Sequence, residues 1–260
     1  MLELERVSIA AAHYRWFGRR KWRPLLREVS LTVAPGEVVA LVGGSGEGKS
    51  LLLLAALDLL PANLRLEGAL RFAGAPLDWQ RSRQLRGREI GYVPQGVGAL
   101  NPLLRVEGQL TRGLRLGGWR GERAALEAQF ARLALPAAAL DLYPRQLSGG
   151  MAKRILACHA ALSNARLILA DEVTAWLDEA AASLLLAQLR GLAAQGCGVL
   201  WVTHDLALAA RFADRVVALH QGRVSDTLAV EALRRGEGSA PLRAHWQALP
   251  EQRGWEALSC

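Results

Sequence analysis

The chain has 260 residues, enough for one large domain or two small ones with a buried core. Hydrophobic residues make up 51% of it, which excludes a disordered chain. Apolar runs such as Leu51–Leu57 are far shorter than the ~20 residues of a membrane-spanning helix. Three scattered cysteines argue against a disulfide framework and a zinc knuckle. The acidic N-terminus lacks an apolar segment, so we expect no secretory signal.

The chain is strongly basic, with a formal net charge of +8, and only three of its 32 basic residues are lysines. Such a charge can indicate binding to nucleic acid or to an anionic membrane surface. The arginines are spread widely, however, apart from residues 15–27 and 81–88. This distribution favours a compositional bias towards arginine, alanine and leucine.

The first part of the chain alternates strands and turns. Residues 1–35 show apolar residues at every second position, which predicts half-buried antiparallel strands. Val38–Val42 is continuously apolar, as in a strand buried on both faces. Strong helix formers predict a helix over Ser50–Leu60, limited by Pro61. Residues 65–80 resemble a short strand pair.

The later part of the chain changes from helical to alternating elements. Residues 98–160 predict a mainly helical insert, with helices at Glu122–Leu135 and Gly150–Leu162. Apolar strands and one helix follow, and this spacing predicts a parallel sheet. These elements are strands Leu167–Ala170, Val199–Val202 and Val216–Leu219, with helix Glu179–Ala194 between the first two. The tail beyond residue 236 shows no clear period.

A glycine-rich turn lies between the first buried strand and its helix and matches the pattern G-x-x-x-x-G-K-[ST]. Its backbone N–H groups can converge on phosphate oxygens, and the helix N-terminus adds a favourable dipole. Lys49 would reach the β- and γ-phosphates and Ser50 would bind Mg²⁺. The predicted nucleotide-binding residues of this loop are Gly43, Gly44, Ser45, Gly46, Glu47, Gly48, Lys49 and Ser50.

Two acidic residues end the strand that begins at Leu167. Asp171 is placed to hold Mg²⁺, and Glu172 is placed to orient or deprotonate an attacking water. On its own, such a pair would be interpreted as solvated acids at a strand end. Together with the phosphate loop, it indicates the second half of a nucleotide site.

A second candidate anion site is the Ser-Gly-Gly turn of Leu147–Met151, which opens a helix. A second such site is redundant for one nucleotide. It makes sense if it serves the nucleotide of a neighbouring chain.

With these blocks in this order, the chain resembles the ATPase subunit of ABC transporters over roughly residues 2–225. The matching blocks are Gly43–Ser50 (Walker A), Gln95 (Q-loop), Leu147–Met151 (signature), Leu167–Glu172 (Walker B), Ala175–Asp178 (D-loop) and His204 (switch histidine). The resemblance implies an α/β fold: a P-loop NTPase (RecA-like) core with an N-terminal antiparallel β-subdomain and a helical signature subdomain. We expect an ATPase domain over 1–235, with the core in 1–95 and 160–235 and the helical subdomain in 96–159. Residues 236–260 would form a C-terminal tail.

The resemblance also implies a mechanism that uses ATP and Mg²⁺. Two ATPase chains would close head-to-tail around two ATP molecules, each Walker A loop facing the signature of the other chain. Glu172 would act as general base and His204 would contact the γ-phosphate. Further roles would fall to Gln95 (Mg²⁺ and the membrane subunit), Asp178 (communication across the dimer), Tyr14 (stacking on adenine) and the signature residues Ser148, Gly149 and Gly150.

Three features are similar to the oligopeptide, dipeptide and nickel importers, and one of them is the pair of runs Thr203–Leu206 and Ala213–Val216. The Q-loop continues as Gln95–Leu103 with an Asn-Pro pair, and Met151 ends the signature. The end at Cys260 makes the chain more like the short nickel or metallophore type. Its partners would be two integral-membrane permease subunits, a second ATPase subunit and, indirectly, a substrate-binding protein, with no nucleic acid. It would lie peripherally on the cytoplasmic face of the cell (inner) membrane.

Three residues depart from the family pattern. Val173 stands where proline is usual, Trp176 replaces a small D-loop residue, and Glu47 adds a negative charge to the phosphate loop, which disfavours ATP unless it points outward. The D-loop departure favours a heterodimer over a homodimer. We still expect Mg-ATP to bind and to be hydrolysed.

Two alternatives stay open from the residues. One is a soluble ABC-type ATPase within an enzyme complex such as that of phosphonate degradation, where a similar signature with methionine occurs. The other, suggested by the charge, is a nucleic-acid ATPase. The absence of a long coiled-coil insert, of zinc spacing and of a second ATPase cassette disfavours it.

Overall fold

The computed structural model describes residues 1–14 and 20–249, with the side chains of Tyr14 and Arg20 excepted. The chain divides into two compact units. The first unit comprises Met1–Val33, Val38–Leu77 and Val202–Cys260, and the second comprises Ala34–Glu37 and Asp78–Trp201.

The strands alternate with helices through most of the described chain. The strands are β1 (Leu2–Tyr14), β2 (Arg20–Val33), β3 (Val38–Gly43), β4 (Leu64–Phe72), β5 (Ala75–Pro76), β6 (Ile90–Val93), β7 (Leu167–Asp171), β8 (Gly198–Thr203), β9 (Arg215–His220) and β10 (Arg223–Ala229). The helices are α1 (Lys49–Ala56), α2 (Trp79–Leu85), α3 (Val106–Leu116), α4 (Arg123–Arg132), α5 (Gly149–Leu162), α6 (Glu179–Ala194), α7 (Leu206–Phe212), α8 (Val230–Arg234) and α9 (Ala240–Gln247).

The first unit contains an antiparallel sheet of four strands in the order β2-β1-β4-β5. Leu2 pairs with Val33 and Leu4 with Leu31, and all four side chains are buried on one face. The alternation in the sequence is therefore confirmed, although the strands are longer than the short strands expected.

The same unit contains the strand that leads into the phosphate loop. β3 pairs in parallel with β9, and β10 continues from β9 as an antiparallel neighbour. Val39, Ala40 and Leu41 are fully buried, as expected of a strand covered on both faces.

Helix α1 ends four residues before the predicted end at Leu60. The chain turns through Asp58, which has φ 51°. The Asp58 and Leu59 N–H groups donate to the Ala55 and Leu54 carbonyls, at 3.0 and 2.8 Å. This pattern is a Schellman C-cap, which satisfies the last carbonyl groups and stops the helix without proline.

The second unit contains β6 and β7 as parallel neighbours and the helices α2 to α6. A short helix, α2, begins at Trp79, inside the predicted strand pair. It begins there because the Asp78 carboxylate caps it, accepting from the Arg81 N–H at 2.8 Å. Helix α6 has the predicted bounds, whereas α4 is shorter than Glu122–Leu135.

An arginine connects three elements of the helical insert. The Arg123 guanidinium contacts Glu107 of α3 at 2.6 Å, Glu127 of α4 at 2.9 Å and Asp141 at 2.9 Å. Glu107 and Asp141 lie 16 and 18 residues from Arg123 in the sequence, so these bonds fix α3 and the turn at Asp141 against the start of α4.

Across residues 1–14 and 20–249, the helices are all too short or too polar to cross a bilayer.

Candidate functional site

The phosphate loop of the first unit connects β3 to α1 with a buried lysine at its centre. Lys49 is 5% exposed, and its ammonium group donates to the Gly43 and Gly44 carbonyls at 2.9 and 2.8 Å. Helix α1 begins at Lys49, and its N-cap residue Gly48 has no side chain to cap the first turn. The backbone N–H groups and the lysine charge therefore lie together at this loop, which suits a phosphate group.

Two positions in this loop require glycine. A Cβ atom at Gly43 would lie 2.7 Å from the Leu219 carbonyl oxygen. At Gly48, φ is 87° and a Cβ atom would lie 3.0 Å from the Leu26 side chain. Any larger residue would shift the backbone that carries the N–H groups.

The charge of Glu47 is engaged outside the loop. Its carboxylate accepts a hydrogen bond from the Gly222 N–H, at 3.0 Å, in the turn between β9 and β10. Glu47 thus anchors the loop to a neighbouring turn.

His204 belongs to the same unit and follows β8 directly. It is exposed, and the residues around it are fixed by hydrogen bonds. The Thr203 hydroxyl accepts from the Asp205 N–H at 3.0 Å, and the Asp205 carboxylate caps α7 by accepting from the Leu208 N–H at 2.9 Å. The histidine therefore stands on a defined turn between a buried strand and a capped helix.

The second unit carries the acidic half of the predicted site. Asp171 ends β7 and is 3% exposed, and the Tyr92 hydroxyl donates to its carboxylate at 3.4 Å. Burial and the adjacent Asp171 charge raise the pKa of Tyr92 to about 12. The phenol is therefore protonated at neutral pH and remains a donor to Asp171.

Glu172 has an unusual backbone conformation and two close partners. Its φ is 43°, in the left-handed region that non-glycine residues rarely adopt. The Gln95 side-chain amide donates to its carboxylate at 2.7 Å, so the structure brings together two of the predicted site residues.

Lys153, on helix α5, is a site residue that the sequence motifs do not include. It is 5% exposed, and its ammonium group donates to the Glu172 carbonyl at 3.0 Å. Burial lowers the pKa of Lys153, and the Glu172 and Asp171 charges oppose that effect. Its only signal in the sequence was its residue type, because just three of the 32 basic residues are lysines.

The signature and D-loop residues cap two helices of this unit. The Ser148 hydroxyl accepts from the Met151 N–H at 3.2 Å and opens α5, while Asp178 opens α6 by accepting from the Ala181 N–H at 2.7 Å. A Cβ atom at Gly150 would lie 3.4 Å from Leu177, so the two turns are adjacent.

The two departures from the family pattern in this region have different environments. Val173 is 1% exposed and packs in the core, whereas Trp176 is 92% exposed, with φ 69°. The side chain of Tyr14, predicted to stack on adenine, lies outside the described residues.

The residues present suit Mg²⁺ held jointly with phosphate. Within residues 1–14 and 20–249, His, Cys, Asp and Glu side chains form no cluster of three or more that could hold a metal. Mg²⁺ at nucleotide sites needs only one or two protein oxygens, because phosphates and water complete its coordination. The buried Asp171 carboxylate and the Ser50 hydroxyl are oxygen donors of this kind.

Comparisons with known proteins show the family of the chain. The family model described as "ABC transporter" matches residues 26–175. Two similar proteins are the "Putative peptide import ATP-binding protein BAB2_1052" of Brucella abortus (strain 2308) and its counterpart BMEII0206 of Brucella melitensis, 36% and 35% identical over 217 residues. Each match covers 79% of this chain and 65% of the relative.

Solved structures of ABC transporter ATPases have a similar fold. The dimeric structure of MJ0796, described as a bacterial ABC transporter cassette, superposes with a TM-score of 0.76 at 28% identity, covering 88% of this chain and 99% of that one. An ATP-binding subunit of an ABC transporter gives a TM-score of 0.76 at 27% identity, covering 95% and 99%. The expected α/β fold with a P-loop NTPase core, an antiparallel sheet and helical parts is thus confirmed. On the family model, the relatives and the fold together, the chain belongs to the ABC transporter family as an ATP-binding cassette.

Proposed function

We propose that this chain binds and hydrolyses Mg-ATP as the energy-supplying subunit of an ABC importer. The observation that carries the proposal is the phosphate loop, where the buried Lys49 opens a helix and its ammonium group is held by two carbonyls of the loop. The names of the relatives, which refer to ATP binding and peptide import, support it. A third structural neighbour, a dimeric cassette bound to ADP and phosphate after hydrolysis, supports it as well.

Within this proposal, the phosphate loop and Lys49 bind the triphosphate. Mg²⁺, when bound, neutralises phosphate charge, and Ser50, Asp171 and Gln95 are the residues that would hold it. Glu172 accepts a proton from the attacking water, because a carboxylate at this position can act as general base. His204 donates a hydrogen bond to the γ-phosphate oxygens.

The signature residues serve a second ATPase chain. Ser148, Gly149 and Gly150 offer the opening turn of α5 to the nucleotide of that chain, and Asp178 lies beside them in the D-loop. The exposed Trp176 favours a partner that differs from this chain, because a large aromatic side chain needs a matching recess. A core over residues 1–95 and 160–235 and a helical subdomain over 96–159 complete the proposal, with residues 236–260 as a tail.

The remaining partners are two integral-membrane permease subunits and, through them, a substrate-binding protein, so the chain works peripherally at the cytoplasmic face of the inner membrane. Exposed apolar residues after Gln95 support such a contact: Val97 is 41% exposed and Leu103 82%. We propose a peptide cargo, following the relatives' names. Nickel or a metal chelate is the alternative cargo.

Affinity purification of the chain from its native cells in mild detergent, followed by mass spectrometry, tests the importer. We expect two integral-membrane proteins and a second ATPase to be recovered. Leu103→Glu should reduce recovery of the membrane proteins, because it places a charge in the proposed contact, whereas the control Leu59→Glu, also exposed, should not. Recovery of soluble enzyme subunits alone would contradict the importer and favour the soluble ATPase. Comparing the uptake of labelled peptide with that of labelled nickel then shows which of the two is transported.

A further inference from the structure

Two adjoining cavities on the second unit share Leu116 as a lining residue. One, of about 720 Å³, opens beside helix α2, and the other, of about 690 Å³, opens beside α3. Arginines dominate the lining of both. We call the combined surface the arginine basin, defined by Trp79, Arg83, Arg86, Arg88, Arg112, Arg115 and Leu116.

The basin holds positive charge without compensation. The α2 cavity has no acidic residue in its lining. The α3 cavity has one, Glu107, which is engaged by Arg123 at 2.6 Å. None of the five basin arginines forms an ion pair with any residue in the described part of the chain. Such a concave cluster of like charge concentrates anions from solution.

Backbone carbonyl groups, and not carboxylates, hold the side chains of two of these arginines. The Arg88 side chain donates to the Leu116 carbonyl at 3.3 Å, and the Arg86 side chain donates to the Ser82 carbonyl at 3.3 Å. Pre-positioned guanidinium groups lose less freedom when they bind a carboxylate, and their planar shape allows two parallel hydrogen bonds.

The basin also exposes apolar surface. Trp79 is 56% exposed and Leu116 70% exposed, and the Arg83 guanidinium lies 5.7 Å from the centre of the Trp79 ring. Large apolar side chains surrounded by arginines suit a ligand that carries acidic and apolar groups in turn. A small inorganic anion would leave this apolar surface uncovered.

We propose that the arginine basin binds an acidic segment of a partner protein, an extended peptide with glutamate or aspartate side chains among apolar ones. The apolar side chains among the arginines favour a peptide with apolar side chains of its own, and clustered arginines are a common means of recognising acidic motifs. The proposal does not depend on the ATPase mechanism, because the basin shares no residue with the proposed nucleotide site.

Binding of a fluorescein-labelled peptide in which glutamate alternates with leucine and serine tests the proposal by fluorescence anisotropy. We expect binding that weakens as salt is raised from about 50 to about 300 mM. Arg83→Glu combined with Arg115→Glu should weaken binding by about tenfold or more, because two attractive charges become repulsive. The matched control combines Arg120→Glu with Arg132→Glu, which are exposed on the same unit and change the net charge equally.

The control should change binding by less than about twofold. Equal losses in both double variants would overturn the proposal, because the attraction would then be the general charge of the chain. Failure of the peptide to bind would overturn it as well, and so would basin-dependent binding only to phosphatidylserine vesicles or only to a single-stranded RNA oligonucleotide. ATP binding measured on the same variants should be unchanged, so a failure here leaves the proposed ATPase intact.

Discussion

At the scale of single residues, the strained backbone of Glu172 is the most informative feature. A left-handed conformation at a non-glycine residue costs about 1–2 kcal/mol and persists only where its surroundings impose it. Lys153 donates to its carbonyl and Gln95 to its carboxylate. The two donors hold the backbone and the side chain of the proposed base separately.

This arrangement predicts a positioning role for Lys153. Lys153→Met keeps an unbranched side chain of similar volume but removes the donor, so kcat for ATP hydrolysis should fall by about tenfold while KM changes little. Lys153→Gln keeps an N–H donor and should recover most of the rate. Steady-state phosphate release measures both constants.

Lys21→Met is the matched control, because Lys21 is exposed on β2 and has no proposed role. A rise in KM with kcat unchanged would contradict the positioning role. An equal loss in Lys153→Met and Lys153→Gln, with native circular dichroism, would contradict it too.

At the scale of elements, one carboxylate holds helix α9, which lies in a segment whose sequence shows no helical periodicity. Asp226 of β10 accepts from the Ser239 N–H and hydroxyl, both at 2.6 Å, and Ser239 is the N-cap residue of α9. Burial alone would raise the pKa of Asp226, but hydrogen bonds from Ser239 and Ser225 outweigh it and hold this pKa below its ordinary value. Leu242 and Trp246 then bury one face of the helix.

Asp226→Asn should therefore loosen α9. An amide cannot accept both bonds from Ser239, so opening of the helix should become easier by about 1–2 kcal/mol at pH 7. A lowered native pKa means that the carboxylate stabilises the fold above about pH 4, and this contribution is lost as the pH falls through the native pKa. Hydrogen exchange of the α9 amides should thus differ between variant and wild type at pH 7, and this difference should disappear as the pH falls through the native pKa of Asp226.

Glu237→Gln is the control for this experiment, because Glu237 is exposed and pairs with the neighbouring exposed Arg235 at 2.7 Å. Its effect should be within about 0.5 kcal/mol. Unchanged α9 exchange in Asp226→Asn would show that apolar packing alone holds the helix.

Elements with a strong local signal were predictable from the sequence. The apolar strand β3, the phosphate loop and helix α6 lie where the sequence predicted them. The continuous apolar run of β3 and the strong helix formers of α6 are signals that lie within the elements themselves. The end of α1, helix α2 and helix α9 were missed. Each depends on one hydrogen-bonding residue (Asp58, Asp78 or Asp226), whose effect becomes visible only when its partners are known.

At the scale of the whole molecule, the order of six short motifs predicted the family, which the comparisons confirm. The sequence could not predict that Glu47 anchors the phosphate loop or that Lys153 reaches Glu172. Both contacts join residues far apart in the chain, 175 and 19 positions respectively. The motifs predicted the family and the candidate site residues, whereas the contacts that position those residues appear only in the fold.

Phosphate release from Glu172→Gln at saturating Mg-ATP tests whether this cassette hydrolyses ATP with Glu172 as the base. We predict that release falls at least about 100-fold, because the proton acceptor is lost, while ATP binding measured by calorimetry is retained. The control Glu179→Gln, an exposed glutamate at the start of α6, should release phosphate at the wild-type rate. Hydrolysis by Glu172→Gln near the wild-type rate would contradict the account.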